Sequence, residues 1–134
     1  MLIVSNNPMV EAAFGDSCVF IDGRALDVLI YVRDMLHKGH KLLSHPLAGS
    51  VKPYESPIRS VCVSKDKGAY DMQSILLMEN AIDRYKTLPQ RNFIENHNED
   101  FQLIDLSLIQ SAVESRFQDR DYLTTQSGGA MYET

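Results

Sequence analysis

Apolar residues along the chain fall either in short continuous runs or in stripes with helical spacing. Runs at residues 2–4, 17–21 and 58–64 are bounded by turn-forming residues, which is typical of buried strands. The first stripe predicts a helix over residues 24–38, ending at Lys38 and Gly39. Its apolar members are Leu26, Leu29, Ile30, Val32 and Leu36.

The second half of the chain predicts two more helices and one more strand. One helix begins at Asp71 and ends before Pro89, because proline disfavours helical backbone in the residue before it. The short apolar run at residues 101–104 predicts a last strand, and Asp105 is placed to cap the helix after it. Residues 40–44 are a candidate for one further short strand.

This alternation of strands and helices predicts an α/β three-layer sandwich. We expect a small, mostly parallel sheet of four or five strands with about three helices. Residues 1–122 should form a single domain, and residues 123–134 a mobile tail with little to bury. Residues 45–57 hold no helix, so the relative direction of the strands that they join stays open.

Composition narrows the classes of function. A net charge of −5 argues against a nucleic-acid partner, because phosphate contacts need clustered lysine and arginine. No apolar run approaches the roughly 18 residues of a membrane span, and the N-terminus lacks the basic lead of a signal peptide. We therefore expect a cytoplasmic protein without a membrane partner. Cys18 and Cys62 lie in apolar runs typical of buried, reduced thiols; a redox pair is the alternative, although no C-x-x-C motif is present.

Polar residues gather where two of the predicted strands end. In open α/β sheets, ligands bind outside the carboxyl ends of the strands, so parallel strands would bring these residues to one edge. Glycine lets backbone amides approach a ligand and lysine adds a positive charge, which suits a carboxylate or phosphate. The alternative is that the segments only form turns. The predicted ligand-binding residues are Asn6, Asn7, Ser44, His45, Gly49, Ser50 and Lys52.

Other kinds of site fit the sequence less well. His37, His40 and His45 resemble metal ligands, but Gly39 separates the first two and no cysteine or carboxylate completes the set. We therefore expect no metal. There is also no Walker loop and no G-x-G-x-x-G motif, so we expect no nucleotide cofactor and name no other cofactor. Two alternatives stay open. One is an enzyme acting on a small amino acid or acyl-phosphate, with His45 as acid/base and Lys52 as anion clamp. The other is an interaction module with an apolar patch, for example in a homodimer.

Three segments, "IVSNNP", "VRDMLHKGHKLLSHPLAGSVKP" and "VSK", resemble the GrdX family over roughly the first half of the chain. That family is named for genes in the glycine, sarcosine and betaine reductase clusters of amino-acid-fermenting anaerobes, where its members are not catalytic subunits. The resemblance therefore implies a glycine reductase context and carries over no catalytic residue. Our first hypothesis is an accessory protein that binds a small anionic ligand or a reductase subunit at this edge. The matching positions are Asn6, Asn7, His37, Gly39, His40, His45, Pro46, Gly49, Ser50, Lys52 and Pro53.

Overall fold

The computed structural model describes residues 1–47, 56–87 and 98–129. Within them, three short strands form one sheet in the order β2-β1-β3. The strands are β1 (Leu2–Ser5), β2 (Cys18–Phe20) and β3 (Ser60–Val63).

The sheet is mixed rather than mostly parallel. β1 runs parallel to β2, with Val4 level with Val19, and antiparallel to β3, with Val4 level with Val61. Residues 40–44 contribute only the isolated antiparallel bridge between Leu42 and Val63. The prediction of four or five mostly parallel strands is therefore wrong, because one predicted strand is a single bridge and another is helical.

Helix α1 (Pro8–Phe14) was not predicted, because Asn-Asn-Pro is also turn chemistry. Asn7 is the N-cap, and its side-chain oxygen accepts the N–H of Met9 at 3.0 Å. Proline suits the first turn of a helix because its missing N–H would have no partner there. With a short 3₁₀ turn at Gly15–Ser17, α1 connects the parallel strands β1 and β2.

Two helices match the sequence prediction closely. α2 (Ala25–His37) begins where the Asp27 carboxylate accepts the backbone N–H of Arg24 at 2.8 Å. α3 (Met72–Thr87) begins directly after Asp71. No helix in the described part of the chain is long and apolar enough to cross a membrane.

Helix α4 (Asn98–Gly129) replaces the strand predicted at residues 101–104. A four-residue apolar run does not distinguish a strand from a buried turn of helix. Here the run continues into the stripe of Leu106, Ile109 and Val113, which packs against the sheet. α4 also continues past residue 122, while the division into a domain and a mobile tail stays a prediction.

Helices pack on both faces of the sheet, so the described residues form three layers. Alternate residues of β1 face opposite sides, as in any strand, with Val4 in one core and Ile3 in the other. The first core lies between the sheet and the helices α2 and α3, and the second lies against α1 and α4. The fully buried members of the first core include Val28, Leu29, Val32, Leu36, Val61, Val63, Met78 and Ile82; the second contains Val10, Cys62 and Ile109.

The two cysteines lie on opposite sides of β1, both level with Ile3. Two strand spacings separate their backbones by about 10 Å, which is too far for a disulfide without backbone movement. Both are free thiols, and burial is the main cause that raises the pKa of each. This geometry argues against the redox-pair alternative.

Candidate functional site

The polar residues that follow β1 lie at what we call the carboxyl edge, formed by residues 5–7, 21–23 and 56–60. Because β3 is antiparallel, its amino end lies beside the carboxyl end of β1, and Ser5 is level with Ser60. The Leu42–Val63 bridge is also antiparallel, so residues 41–44 run in the same direction as β1. This answers the question of direction that the sequence left open, and it points Ser44 and His45 towards the carboxyl edge.

Asn6 fastens two loops to the end of β1. Its side-chain nitrogen donates to the carbonyls of Gly23 at 3.0 Å and Pro57 at 2.9 Å. Its side-chain oxygen accepts the backbone N–H of Arg59 at 2.9 Å. Both N–H groups of the amide are thus used within the protein, which positions the segment preceding β3.

Asn7 joins the first helix to the last. Besides capping α1, its side-chain nitrogen donates to the carbonyl of Gln102 at 2.9 Å and to Oδ2 of Asp105 at 3.0 Å. Asn7 is fully buried, with no exposed surface. Its amide therefore has a structural role in addition to any role that it has towards a ligand.

A directed chain of hydrogen bonds crosses the carboxyl edge. Ser60 Oγ donates to Asp105 Oδ2 at 2.6 Å, so the single proton of that hydroxyl is used. Ser5 Oγ, 2.7 Å from Ser60 Oγ, must then donate to it. Ser5 in turn accepts the backbone N–H of Asn7 at 2.9 Å. The chain ends on the Asp105 carboxylate, which also accepts from the Asn7 side chain.

One buried and one half-buried charged group lie at this edge. Arg59 is only 6% exposed, and burial lowers the pKa of its guanidinium, while the charges of Asp105 and Tyr85 oppose that shift. Burial also raises the pKa of the Asp105 carboxyl, against hydrogen bonds from Ser60 and Asn7 and the positive charge of Arg59. Burial raises the pKa of the Tyr85 hydroxyl, and the positive charge of Arg59 opposes that rise. The edge thus holds a desolvated cation and a desolvated carboxylate that partly compensate each other.

Ser44 and His45 lie beside β3, on the side of that strand away from β1. The Ser44 hydroxyl accepts the backbone N–H of Cys62 at 2.8 Å. His45 is exposed, and its Nδ1 accepts the backbone N–H of Leu47 at 3.1 Å. Both line a shallow cleft of about 240 Å³ beside the start of α3. No hydrogen bond between described residues connects Ser44 or His45 to Asn6 or Asn7.

The remaining predicted ligand-binding residues, Gly49, Ser50 and Lys52, lie outside the described residues. The set of ligand-binding residues as a whole stays a prediction. Sequence reasoning did not place Arg59, Ser60 or Asp105 at the site. The signal for the first two was present, since a polar Arg-Ser pair heads an otherwise apolar strand.

The opposite edge of the sheet, which we call the amino edge, is formed by residues 39–41 and 64–71. His40 is 7% exposed, and its Nδ1 lies 2.7 Å from the carbonyl oxygen of Ser64. His37 instead lies 3.6 Å from a Glu79 carboxylate oxygen at the surface. Within the described residues, no group of three or more histidine, cysteine or acidic side chains is placed to hold a metal ion.

Close backbone packing shapes the amino edge. Gly39 has a φ of 106°, and a Cβ added there would lie 2.5 Å from the carbonyl oxygen of Gly68. The N–H of Gly68 donates to the carbonyl of Gly39 at 2.9 Å. A cleft of about 400 Å³ opens beside this contact, with Lys41, Lys67 and Tyr70 among its lining residues. The "HKGHK" part of the family-like segment therefore shapes the amino edge.

Comparison with known proteins gives one family. A model of the family described as GrdX-like protein matches residues 2–114. No curated protein and no solved structure matches the chain. The match extends from β1 to beyond Asp105, so it includes both ends of the hydrogen-bond network at the carboxyl edge. It also covers well over half of the sequence, and the chain belongs to the GrdX-like family.

Proposed function

We propose that this protein is a non-catalytic accessory protein of a glycine reductase type of system, and that it binds a small anionic ligand at the carboxyl edge. The predicted contacts are the backbone at Gly49, the Ser50 hydroxyl and the Lys52 ammonium group. These groups suit a carboxylate or a phosphate.

The observation that carries this proposal is the buried guanidinium of Arg59, the residue directly before β3. A desolvated cation acts on a nearby anion through a lower effective dielectric than a surface lysine does. The charge of Asp105 opposes the lowering of the Arg59 pKa, so these two groups already interact at this edge.

The residues on either side of segment 48–55 lie at the carboxyl edge or run towards it, which supports a site there. After that segment, the carbonyl of Pro57 accepts from Asn6, and the backbone N–H of Arg59 donates to the same side chain. Before it, residues 41–44 run towards this edge. We infer that Asn6 and Asn7 position the site, while the ligand contacts come from the segment between Leu47 and Ser56.

The alternative of an enzyme that uses His45 gains no support from the described contacts. In a neutral ring, an Nδ1 that accepts the Leu47 N–H leaves the proton on Nε2. Such a ring donates a hydrogen bond at Nε2 but has no free lone pair there for a general base. Its partner is a backbone group two residues away, rather than an orienting carboxylate.

A thermal-shift screen tests the proposed function. We expect one of glycine, sarcosine, betaine, acetyl phosphate or inorganic phosphate to raise the melting temperature, because a ligand that binds only the folded state stabilises it by mass action. At 100 times its Kd, the ligand adds about 2.7 kcal/mol, which corresponds to several degrees for a domain of this size.

Two lysine variants show where that ligand binds. Lys52→Ala should abolish most of the shift, whereas Lys67→Ala removes an exposed lysine at the amino edge and should leave the shift intact. The proposal is wrong if none of these compounds shifts the transition. It is also wrong if the shift survives Lys52→Ala unchanged.

A further inference from the structure

The two outer strands of the sheet differ in how they are covered. Residues 41–44 run along the outer side of β3 and pair with it through Leu42. On the other side the sheet ends at β2, and no strand in the described part of the chain pairs with its outer side. The sequence of β2, Cys-Val-Phe, lacks the lysine and proline that often block pairing between open edges.

The register of β2 shows which of its backbone groups face outward. In a parallel pair, one residue of each aligned couple directs both backbone groups to the other strand, and its partner directs them away. Ser5 is aligned with Phe20, and the Ser5 carbonyl accepts the N–H of Ile21 at 2.8 Å. The N–H and the C=O of Phe20 therefore point away from the sheet.

Side chains of β2 border both cores without being fully covered. Val19 packs against the first core and Cys18 against the second, and all three residues of β2 are half-buried. The next residue, Ile21, also packs half-buried against the first core. A strand placed beside β2 would extend both cores and cover these side chains.

We propose that β2 pairs antiparallel with β2 of a second copy of this chain, around a two-fold axis at Phe20. An isologous contact needs a surface that is complementary to itself, and an antiparallel strand pair meets that requirement. The N–H of Cys18 already donates to the carbonyl of Gly15, so Phe20 is the residue of β2 that offers both groups. Its N–H donates to the Phe20 carbonyl of the second copy, and the reverse bond forms by symmetry.

Charges on either side of β2 fit this register. Asp16 lies in the turn before β2 and Arg24 follows β2, so the axis brings the end of β2 next to Asp16 in one copy beside the end next to Arg24 in the other. Both residues are exposed, and neither forms an ion pair with a described residue. The two-fold axis produces two such contacts in each dimer. This complementarity favours a second copy of the chain over an unrelated strand as the occupant of the edge.

Sedimentation equilibrium of the full chain tests the proposal. We expect a mass of twice 15.2 kDa at micromolar concentration. Asp16→Arg or Arg24→Asp alone should raise the dimer dissociation constant about tenfold, since each turns two attractions into repulsions. The double swap should restore it. A monomeric mass at every concentration overturns the proposal, and so does a dimer that none of these variants weakens.

A cysteine at the axis tests the register directly. In a Cys18→Ser background, Phe20→Cys places two thiols in a directly opposed pair with Cα atoms about 5.5 Å apart, within disulfide range. Mild oxidation should then give a covalent dimer, seen without reductant on a denaturing gel. Gln73→Cys, exposed on α3, should not cross-link. Equal cross-linking at both positions, or none at Phe20→Cys, contradicts the proposed register.

Discussion

The two edges of the sheet are held by different kinds of contact. At the carboxyl edge, the side chains of Ser5, Asn6 and Asn7 bond to groups far away in sequence. At the amino edge, many contacts join backbone groups, as between Gly68 and Gly39, or between Ser64 and Lys41. Every residue carries backbone groups, whereas an amide or carboxylate must be supplied by a particular side chain. The carboxyl edge therefore depends more strongly on residue identity than the amino edge, where the side chains of His40 and Ser64 bond to backbone groups and the close approach of Gly39 to Gly68 depends on space.

The largest expected effect is at Asn7. Asn7→Ala removes a helix cap and two donors, one of which bonds to the half-buried carboxylate of Asp105. We expect the free energy of unfolding in urea to fall by about 3 kcal/mol. Asn80→Ala, at an exposed position on α3, is the matched control and should change it by less than about 0.5 kcal/mol. Equal effects of the two substitutions would show that the network adds no stability.

Gly39 is the position at the amino edge where the space available excludes any side chain. Gly39→Ala should cost about 2 kcal/mol, because φ is 106° and the new Cβ would meet the Gly68 carbonyl oxygen. Gly68→Ala is the control, since a Cβ there meets nothing within 4 Å. Urea denaturation of both variants measures the difference. Equal costs would mean that the close approach is not what requires glycine at Gly39.

Asp105 adds a pH dependence to the carboxyl edge. Burial raises the pKa of its carboxyl in the folded state, so the folded protein binds that proton more tightly than the unfolded chain. Its contribution to stability is therefore highest at low pH. It falls as the pH rises from the ordinary aspartate pKa, about 3.9, to the raised folded value.

Asp105→Asn should remove this dependence. We expect the stability of the wild type relative to this variant to decrease with rising pH over that window, as measured by urea denaturation at a series of pH values. Arg59 acts on this carboxyl and Tyr85 acts on Arg59, but the ordinary pKa values of both lie far above the window. An opposite slope would mean that Arg59 and the hydrogen bonds outweigh burial.

The smallest effect is expected for the ion pair of His37 and Glu79 near the amino edge. Both side chains are about half exposed, and Nε2 of His37 lies 3.6 Å from Oε2 of Glu79. Glu79→Gln should change the free energy of unfolding by less than about 0.5 kcal/mol at pH 6, because solvent and salt screen exposed pairs. A loss of more than 1 kcal/mol would show that side chains matter as much at the amino edge as at the carboxyl edge.

The helices were more predictable than the sheet. Helical stripes of ten or more residues located α2 and α3, since their period is a local property of the sequence. The strands have only three or four residues, and their pairing depends on contacts distant in sequence. The Asn-Asn-Pro segment fits a turn and a helix start equally well, so α1 was missed.

The sequence predicted where Asn6 and Asn7 lie, but not the network that they join. The rule for open sheets led to Asn6 and Asn7, which do lie at the end of β1. The sequence could not show that their amides bond within the protein. Asp105 was interpreted only as a helix cap. Its role in the network was missed because its partners Ser60 and Asn7 lie 45 and 98 positions away. No local pattern reveals a contact over such a separation.

The Asn7 side chain has a consequence for the order of events during synthesis. The β1-α1-β2 unit leaves the ribosome before α4 does, yet one amide both caps α1 and bonds to α4. Until Gln102 and Asp105 have emerged, the donors of that amide have only water as partner. The β1-α1-β2 unit is thus completed by a helix that is made later, which favours folding once α4 has emerged over folding of this unit by itself.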